Sequence, residues 1–288
     1  MQTSAPVLFV LLWSTGFLGA KFGLPYIEPA NFLTIRFGIV AILFAVILLL
    51  FRIPLPKTPA TWLHLSVSGV LVHGIYLGGV FAAIALGVNA GVSALIVGVQ
   101  PLVTAVLVGP LLGEQVTPRQ WKGFLTGLAG VFLVVLESFQ FTGNDLLGLV
   151  LCIAGLAGIS VGTVYQKRFC TDIDLRVGST IQFAAAMVFV GVFAFTIETR
   201  EVQWHGDLIF AMGWLCIVLS LGAVTVLMWL IRHGAASKVA SLFYLVPPLV
   251  AVESWLLFGE TMSLFAMAGM LLCAIGVWLV LRQPADSD

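Results

Sequence analysis

From Thr58 to Gly113 the chain carries no Asp, Glu, Lys or Arg. A helix crosses the hydrocarbon of a bilayer with about 20 residues, so this stretch is far too long for one crossing, and no soluble surface could be made from it. The whole chain has the same character. Of its 288 residues, 60% are hydrophobic and only 9% charged, against roughly 25% charged in an average soluble domain. The polar shell of a soluble globule would run out before its surface was covered. That excludes a cytosolic enzyme, a secreted module and a disordered tail. The net charge of +0 offers no basic face for phosphate backbones, so nucleic acid is not a partner. The remaining class is a polytopic membrane protein, with the lipid bilayer and a small-molecule substrate as its partners.

Ten apolar segments follow along the chain, at 4–24, 31–51, 62–86, 90–112, 119–137, 146–166, 177–197, 208–231, 238–258 and 262–281. The long uncharged stretch divides at Gly87-Val88-Asn89-Ala90, where turn formers cluster. The segments stay apolar for whole crossings and do not alternate in ten-residue pieces, which selects helices over barrel strands. The expected fold class is an all-α integral membrane protein with ten transmembrane helices. The first segment has no basic start and no small-x-small exit, and reads as a retained helix.

Lys and Arg are retained on the cytoplasmic side. With a cytoplasmic N-terminus, the inner segments hold Arg52, Lys57, Arg119, Lys122, Lys167, Arg168, Arg176, Arg232, Lys238 and Arg282. The outer segments hold only Lys21 and Arg200, while Arg36 sits inside the second span. Both termini are therefore expected inside, in a bacterial-type inner membrane.

Self-similarity at a fixed offset points to a duplication. Pro101 and Pro247 are separated by 247 − 101 = 146 positions. The same offset joins Gly113-Glu114 to Gly259-Glu260, Gly123 to Gly269, Gly130 to Gly276, Ser14 to Ser160, Gly16 to Gly162 and Lys21 to Lys167. Thr34-Ile35 likewise meets Thr180-Ile181, and Phe37 meets Phe183. The expected units are residues 1–140 and 141–288, five helices each. Five is odd, so a second unit that begins outside must be inverted relative to the first. Such pairs commonly form secondary transporters, with the substrate near the midplane between the repeats.

The run Trp13-Ser14-Thr15-Gly16-Phe17, then Lys21 and Thr34-Ile35-Arg36-Phe37, resembles the EamA-type domain. Pro101, followed twelve residues on by Gly113-Glu114 with a Gly-rich fifth span behind it, resembles it too. The features recur imperfectly in the second half, so the likeness covers nearly the whole chain and points to the drug/metabolite transporter superfamily. The resemblance implies ten helices and export of small metabolites, and within the superfamily the chain is most similar to bacterial aromatic amino acid exporters. The halves depart at Gln182, where the first has Arg36, and at Ile159, where the first has Trp13.

An ionisable group inside a span is costly unless paired or wet, and so is a functional candidate. Arg36 lies near the outer end of span 2, where it reads as a snorkelling anchor or a cap on the loop of Glu28. His73, with Tyr76 three residues on, is either a core hydrogen-bonder or part of a cavity. Glu253 lies two helical turns after Val246, the repeat mate of Gln100. Gln100 and Glu253 thus face the gap between halves, or else Glu253 is simply hydrated. Glu114 and Glu260 follow Gly at span ends and read as acceptors for free helix N–H groups. Pro101 and Pro247-Pro248 fall mid-span at mated positions and are candidate hinges, freeing carbonyls there. Trp13, Tyr76, Trp229 and Tyr244 offer an aromatic wall for a small flat or apolar side chain, with Ser14 and Ser160 as hydroxyls beside it. Plain helix packing is the alternative for each. The four Cys, at 152, 170, 216 and 273, have no metal-like spacing, and no cofactor is expected. H-E-x-x-H does not occur, and Gly158-Ile159-Ser160-Val161-Gly162, which reads G-x-S-x-G, lies inside an apolar helical segment and not at a strand-to-helix turn, so no enzyme is expected. The rival reading is a phosphorylated-metabolite or nucleotide-sugar carrier, which needs several midplane cations.

Overall fold

The computed structural model describes residues 5–88, 93, 96–135, 145–258 and 264–281. Among them the chain is predominantly helical. Helix α1 is Ala5–Gly23 and α2 is Pro29–Leu50. Helix α3, Pro59–Ala85, runs through a π segment at Val70–Ile75. Then come α4 (Gln100–Leu112), α5 (Pro118–Val135), α6 (Asp145–Phe169) and α7 (Leu175–Thr196). Helix α8, Gly206–His233, contains a second π segment at Leu215–Ala223. A broken helix follows, made of α9 (Ala236–Ser241), a 3-10 turn (Leu242–Leu245) and α10 (Val246–Phe258). Helix α11 is Leu264–Leu281. Five of the helices are long and apolar enough to cross a membrane: α2, α3, α6, α7 and α8. Shorter apolar helices accompany them at Ala5–Gly16, Gln100–Leu112, Ala236–Val250 and Met267–Leu281. Large apolar side chains such as Leu49, Ile42 and Leu264 face outward, as lipid contact requires.

The prolines sit differently from the mid-span kinks expected of them. Pro101 and Pro247 each occupy the first turn of a helix. There the missing N–H has no intrahelical partner to lose, and the fixed φ suits helix entry. Each span is therefore broken just before its proline, by a turn at Gly98–Val99 and by the 3-10 segment. At the other end of α4, Gly113 takes φ 71°, which only glycine adopts without strain, and closes the helix through its N–H on the Gly109 carbonyl.

Close helix contacts depend on small residues. Helix α5 packs along α11, α2 along α7 and α3 along α6. A Cβ at Gly123 would lie 2.7 Å from the Gly276 carbonyl oxygen, and one at Gly130 would lie 2.6 Å from that of Gly269. All four Cys are buried free thiols, and Cys273 Sγ donates to the Gly127 carbonyl at 3.7 Å.

Polar contacts tie both ends of the bundle. At one end Ile27 bridges Val202, and the Gln203 N–H donates to the Tyr26 carbonyl at 3.0 Å. Glu28 accepts from Thr199 Oγ1 at 2.8 Å and from the Arg200 N–H at 3.0 Å. Glu198 accepts the free N–H groups of Ala30 and Asn31, both at 2.7 Å, and so caps α2. At the opposite end, Glu114 accepts from the Ala236 N–H and from Ser237 Oγ. That is the helix-capping work expected of it, though the helix capped is the distant α9. Glu260 lies outside the described residues. Also at this end, Lys167 Nζ donates to the Arg232 carbonyl at 3.2 Å, and Arg168 donates to that of Leu111.

Candidate functional site

Burial of polar groups selects the site. Arg36 is 1% exposed and is the largest of the fully buried side chains. The expectation of an outer-end anchor is thus corrected: α2 packs along α7 and against α8, which turns Arg36 inward. Its Nη2 donates to Ser220 Oγ at 3.0 Å, from the π segment of α8. Nε and Nη1 have no partner. Among the described residues no acidic side chain pairs with it. The guanidinium lines a small interior cavity of about 30 Å³ with Trp13, Gly16, Tyr76, Leu219 and Val224.

Two of the expected aromatics meet there. Trp13 and Tyr76 line the same cavity, and Trp13 packs edge-on against Phe243, with ring centroids 5.5 Å apart. His73 lies within electrostatic reach of Arg36 and interacts with the Gln182 side chain. Its ring stacks on Phe183 at 4.3 Å, with Phe37 at 6.1 Å, and its Nε2 has no partner. On another face of α1, Ser14 Oγ donates to Glu253 Oε1 at 2.5 Å, while Glu253 Oε2 is buried without a partner. Glu253 therefore contacts α1 of the first half. Gln100 and Ser160 are fully buried, and both amide atoms of Gln100 and the Ser160 hydroxyl are unpartnered. They sit on α4 and α6, which pack together.

Two members of the expected wall stand elsewhere. Tyr244 donates its hydroxyl to the Phe124 carbonyl at 2.8 Å and presses on Gly127, a packing post between α5 and the broken helix. Trp229 stacks on His233 at 4.6 Å and lines a separate hollow with Pro6 and Lys238. Sequence reasoning missed Ser220, Gln182 and Phe183 as neighbours, and it undervalued Arg36. The usable signal was an arginine deep in an apolar run without an acid one turn away.

Chemically, the arrangement offers a buried cation, aromatic faces and several open hydrogen-bonding atoms inside an apolar bundle.

The profile of the EamA-like transporter family matches residues 5–136 and again 146–282. The chain belongs to the EamA-like transporter family. Its relatives include the uncharacterized transporter YvbV of Bacillus subtilis (strain 168), 29% identical over 94% of this chain and 88% of that one. The uncharacterized inner membrane transporter YedA of Escherichia coli (strain K12) is 25% identical over 88% and 81%. A probable amino-acid metabolite efflux pump of Salmonella typhimurium is 23% identical over 95% and 92%. A solved crystal structure superposes with a TM-score of 0.80 at 20% identity, covering 96% of this chain and 95% of that one, which establishes a shared fold alone. This EamA-family chain is thus a multi-pass membrane transporter, with a small molecule as its substrate.

Proposed function

We propose that this EamA-family protein is a ten-helix secondary transporter that exports small neutral or zwitterionic metabolites across an inner membrane. Amino acids, aromatic ones included, are the favoured class. Access alternates between two inverted five-helix units, residues 1–140 and 141–288. The observation that carries the reading is the set of unpartnered polar atoms on Arg36, His73, Gln100 and Ser160, all within an apolar helical bundle. Each such group costs free energy in a dry interior unless something polar meets it. A zwitterion brings both charges, and the Trp13–Tyr76 pair supplies stacking and apolar area for its side chain. The Salmonella relative, a probable amino-acid metabolite efflux pump, favours the same class and direction.

Contacts between residues 146 positions apart support the inversion. Phe37 lies beside its mate Phe183, with centroids 5.7 Å apart, and Gly127 beside its mate Cys273. The reciprocal contacts Gly123–Gly276 and Gly130–Gly269 join two mated pairs crosswise, as a two-fold axis would. The two π segments also overlap at that offset. Lys167, Arg168, Arg232 and Lys238 gather at one end of the bundle, which supports a cytoplasmic assignment for that end and for both termini.

The test is counterflow of labelled amino acids in proteoliposomes, competed by each solute class. Neutral amino acids, with Phe, Trp and large aliphatic ones foremost, should compete well, while Asp, Glu and phosphorylated compounds should compete poorly. Competition by sugar phosphates or nucleotides alone would promote the phosphorylated-metabolite rival. Orientation is checked by labelling single cysteines: Leu55→Cys and Asp172→Cys should react from inside, and Thr142→Cys from outside.

A further inference from the structure

We infer that Arg36 is the group that reads the substrate's carboxylate, so that the transporter selects solutes bearing one carboxylate next to an apolar or aromatic body. This rests on the transport reading above and names the chemistry recognised at that site. The guanidinium is 1% exposed, and of its three nitrogens only Nη2 has a partner, the neutral Ser220 hydroxyl. The nearby Phe37 ring, 5.9 Å from the guanidinium carbon, adds a weak cation–π attraction and no counter-charge. Arg remains protonated in proteins near neutral pH, so the site holds a positive charge there. Among the described residues no carboxylate forms an ion pair with Arg36, so the charge has no counter-charge within the bundle.

The cavity's size and walls narrow the ligand. About 30 Å³ has room for one or two water-sized groups, the size of a carboxylate head. One guanidinium balances one negative charge, whereas a phosphate dianion would call for a second cation. Among the described residues lining the cavity there is no second Lys or Arg. Trp13 and Tyr76 line the same cavity, so the atoms next to a bound carboxylate meet aromatic surface. Charge-assisted hydrogen bonds from Arg to a carboxylate are the strong ones, and they gain further where water is excluded.

The experiment uses the full-length protein in proteoliposomes and three matched solutes: phenylalanine, phenylalanine amide without the carboxylate, and hydrocinnamate without the amine. In the wild type, phenylalanine and hydrocinnamate should compete for labelled-solute counterflow at least about tenfold better than the amide. Arg36→Gln should erase that preference, and Arg36→Lys, which keeps the charge with fewer donors, should retain part of it. Equal competition by acid and amide in the wild type overturns the inference, as does a folded Arg36→Gln protein with an unchanged acid-to-amide ratio. Should Arg36→Gln fail to fold, the wild-type ratio and Arg36→Lys still decide. Binding is read separately, as hydrocinnamate-dependent tryptophan fluorescence that is lost in Trp13→Phe. If that signal persists and depends on Arg36 while no amino acid is transported, the carboxylate site stands and the amino acid reading falls. If transport persists with no acid preference, the reverse holds.

Discussion

The two halves of the molecule share a scaffold and divide the chemistry unequally. At mated positions the first half has Trp13, Arg36, His73 and Tyr76, where the second has Ile159, Gln182, Leu219 and Gly222. The glycine notches, the π segments and the proline-initiated half-helices recur in both. On the proposed duplication, the difference separates the parts that both copies keep from those that one copy has. Close helix approach and breaks in the helices serve both copies, while a single charged pocket suffices for a single solute. The second half closes that pocket instead of copying it. Leu219, the mate of His73, packs on Gly16 and lines the cavity, and Ser220 beside it takes the Arg36 hydrogen bond.

The largest expected effect comes from forcing symmetry on the chemistry. Gln182→Arg would bury a second cation near His73 and Arg36 with no acid to receive it, a cost of about 3–5 kcal/mol or more. Folded protein should be lost on size-exclusion chromatography, while Gln182→Ala should remain monodisperse. A stable Gln182→Arg transporter would break the proposed asymmetry.

The scaffold should respond evenly. Gly130→Ala and Gly276→Ala each drive a Cβ to within 2.6 Å of facing backbone, and each should cost about 1–3 kcal/mol. Their thermal unfolding temperatures should fall by similar amounts, and a large difference would weaken the two-fold relation.

These contrasts also show what a sequence conveys. Apolar runs are local, and the five described helices long and apolar enough to cross a membrane overlap segments that hydropathy marks. The capping role of Glu114 was legible, but its recipient, Ala236, was not, because a carboxylate's chemistry is local and its partner is a matter of tertiary packing. Arg36 was misjudged because depth along a helix can be counted, whereas the face it presents depends on α7 and α8. Trp229 and Tyr244 were grouped with Trp13 on residue type alone, without the rotational phase of each helix. A π segment shifts that phase for everything beyond it, and one lies immediately before Tyr76.

The prolines give an intermediate effect. Pro101→Ala and Pro247→Ala occupy helix-entry positions, so the stability change should stay within about 1 kcal/mol, while counterflow drops several-fold if the breaks act as hinges. Equal losses of folded protein and transport would mean that the prolines serve packing only.

The smallest effect separates the mated acids Glu28 and Asp174. Glu28 bonds across to Thr199 and Arg200, whereas Asp174 accepts from the Arg176 N–H and starts its own helix, α7. The hydrogen-bonded Arg176 side chain holds the Asp174 carboxyl below its ordinary range. Its contribution to stability is therefore full above the usual carboxylate pKa and is lost as pH falls through the depressed value. The pair is solvent-exposed, so the contribution is under about 1 kcal/mol. Asp174→Asn should flatten the acid limb of thermal stability by that much, and an unchanged acid limb would mean that the Asp174 charge adds nothing to stability.

Alternating access is tested most directly by paired spin-label distances. One pair, Pro25→Cys with Glu201→Cys, spans the end held by Ile27 and Val202. The other, Gln115→Cys with Phe169→Cys, spans the opposite end, where Arg168 meets Leu111. With transported solute present, each pair should show a short and a long population, and conditions that lengthen one should shorten the other. Two distances that stay fixed through turnover, or that lengthen together, would contradict the account.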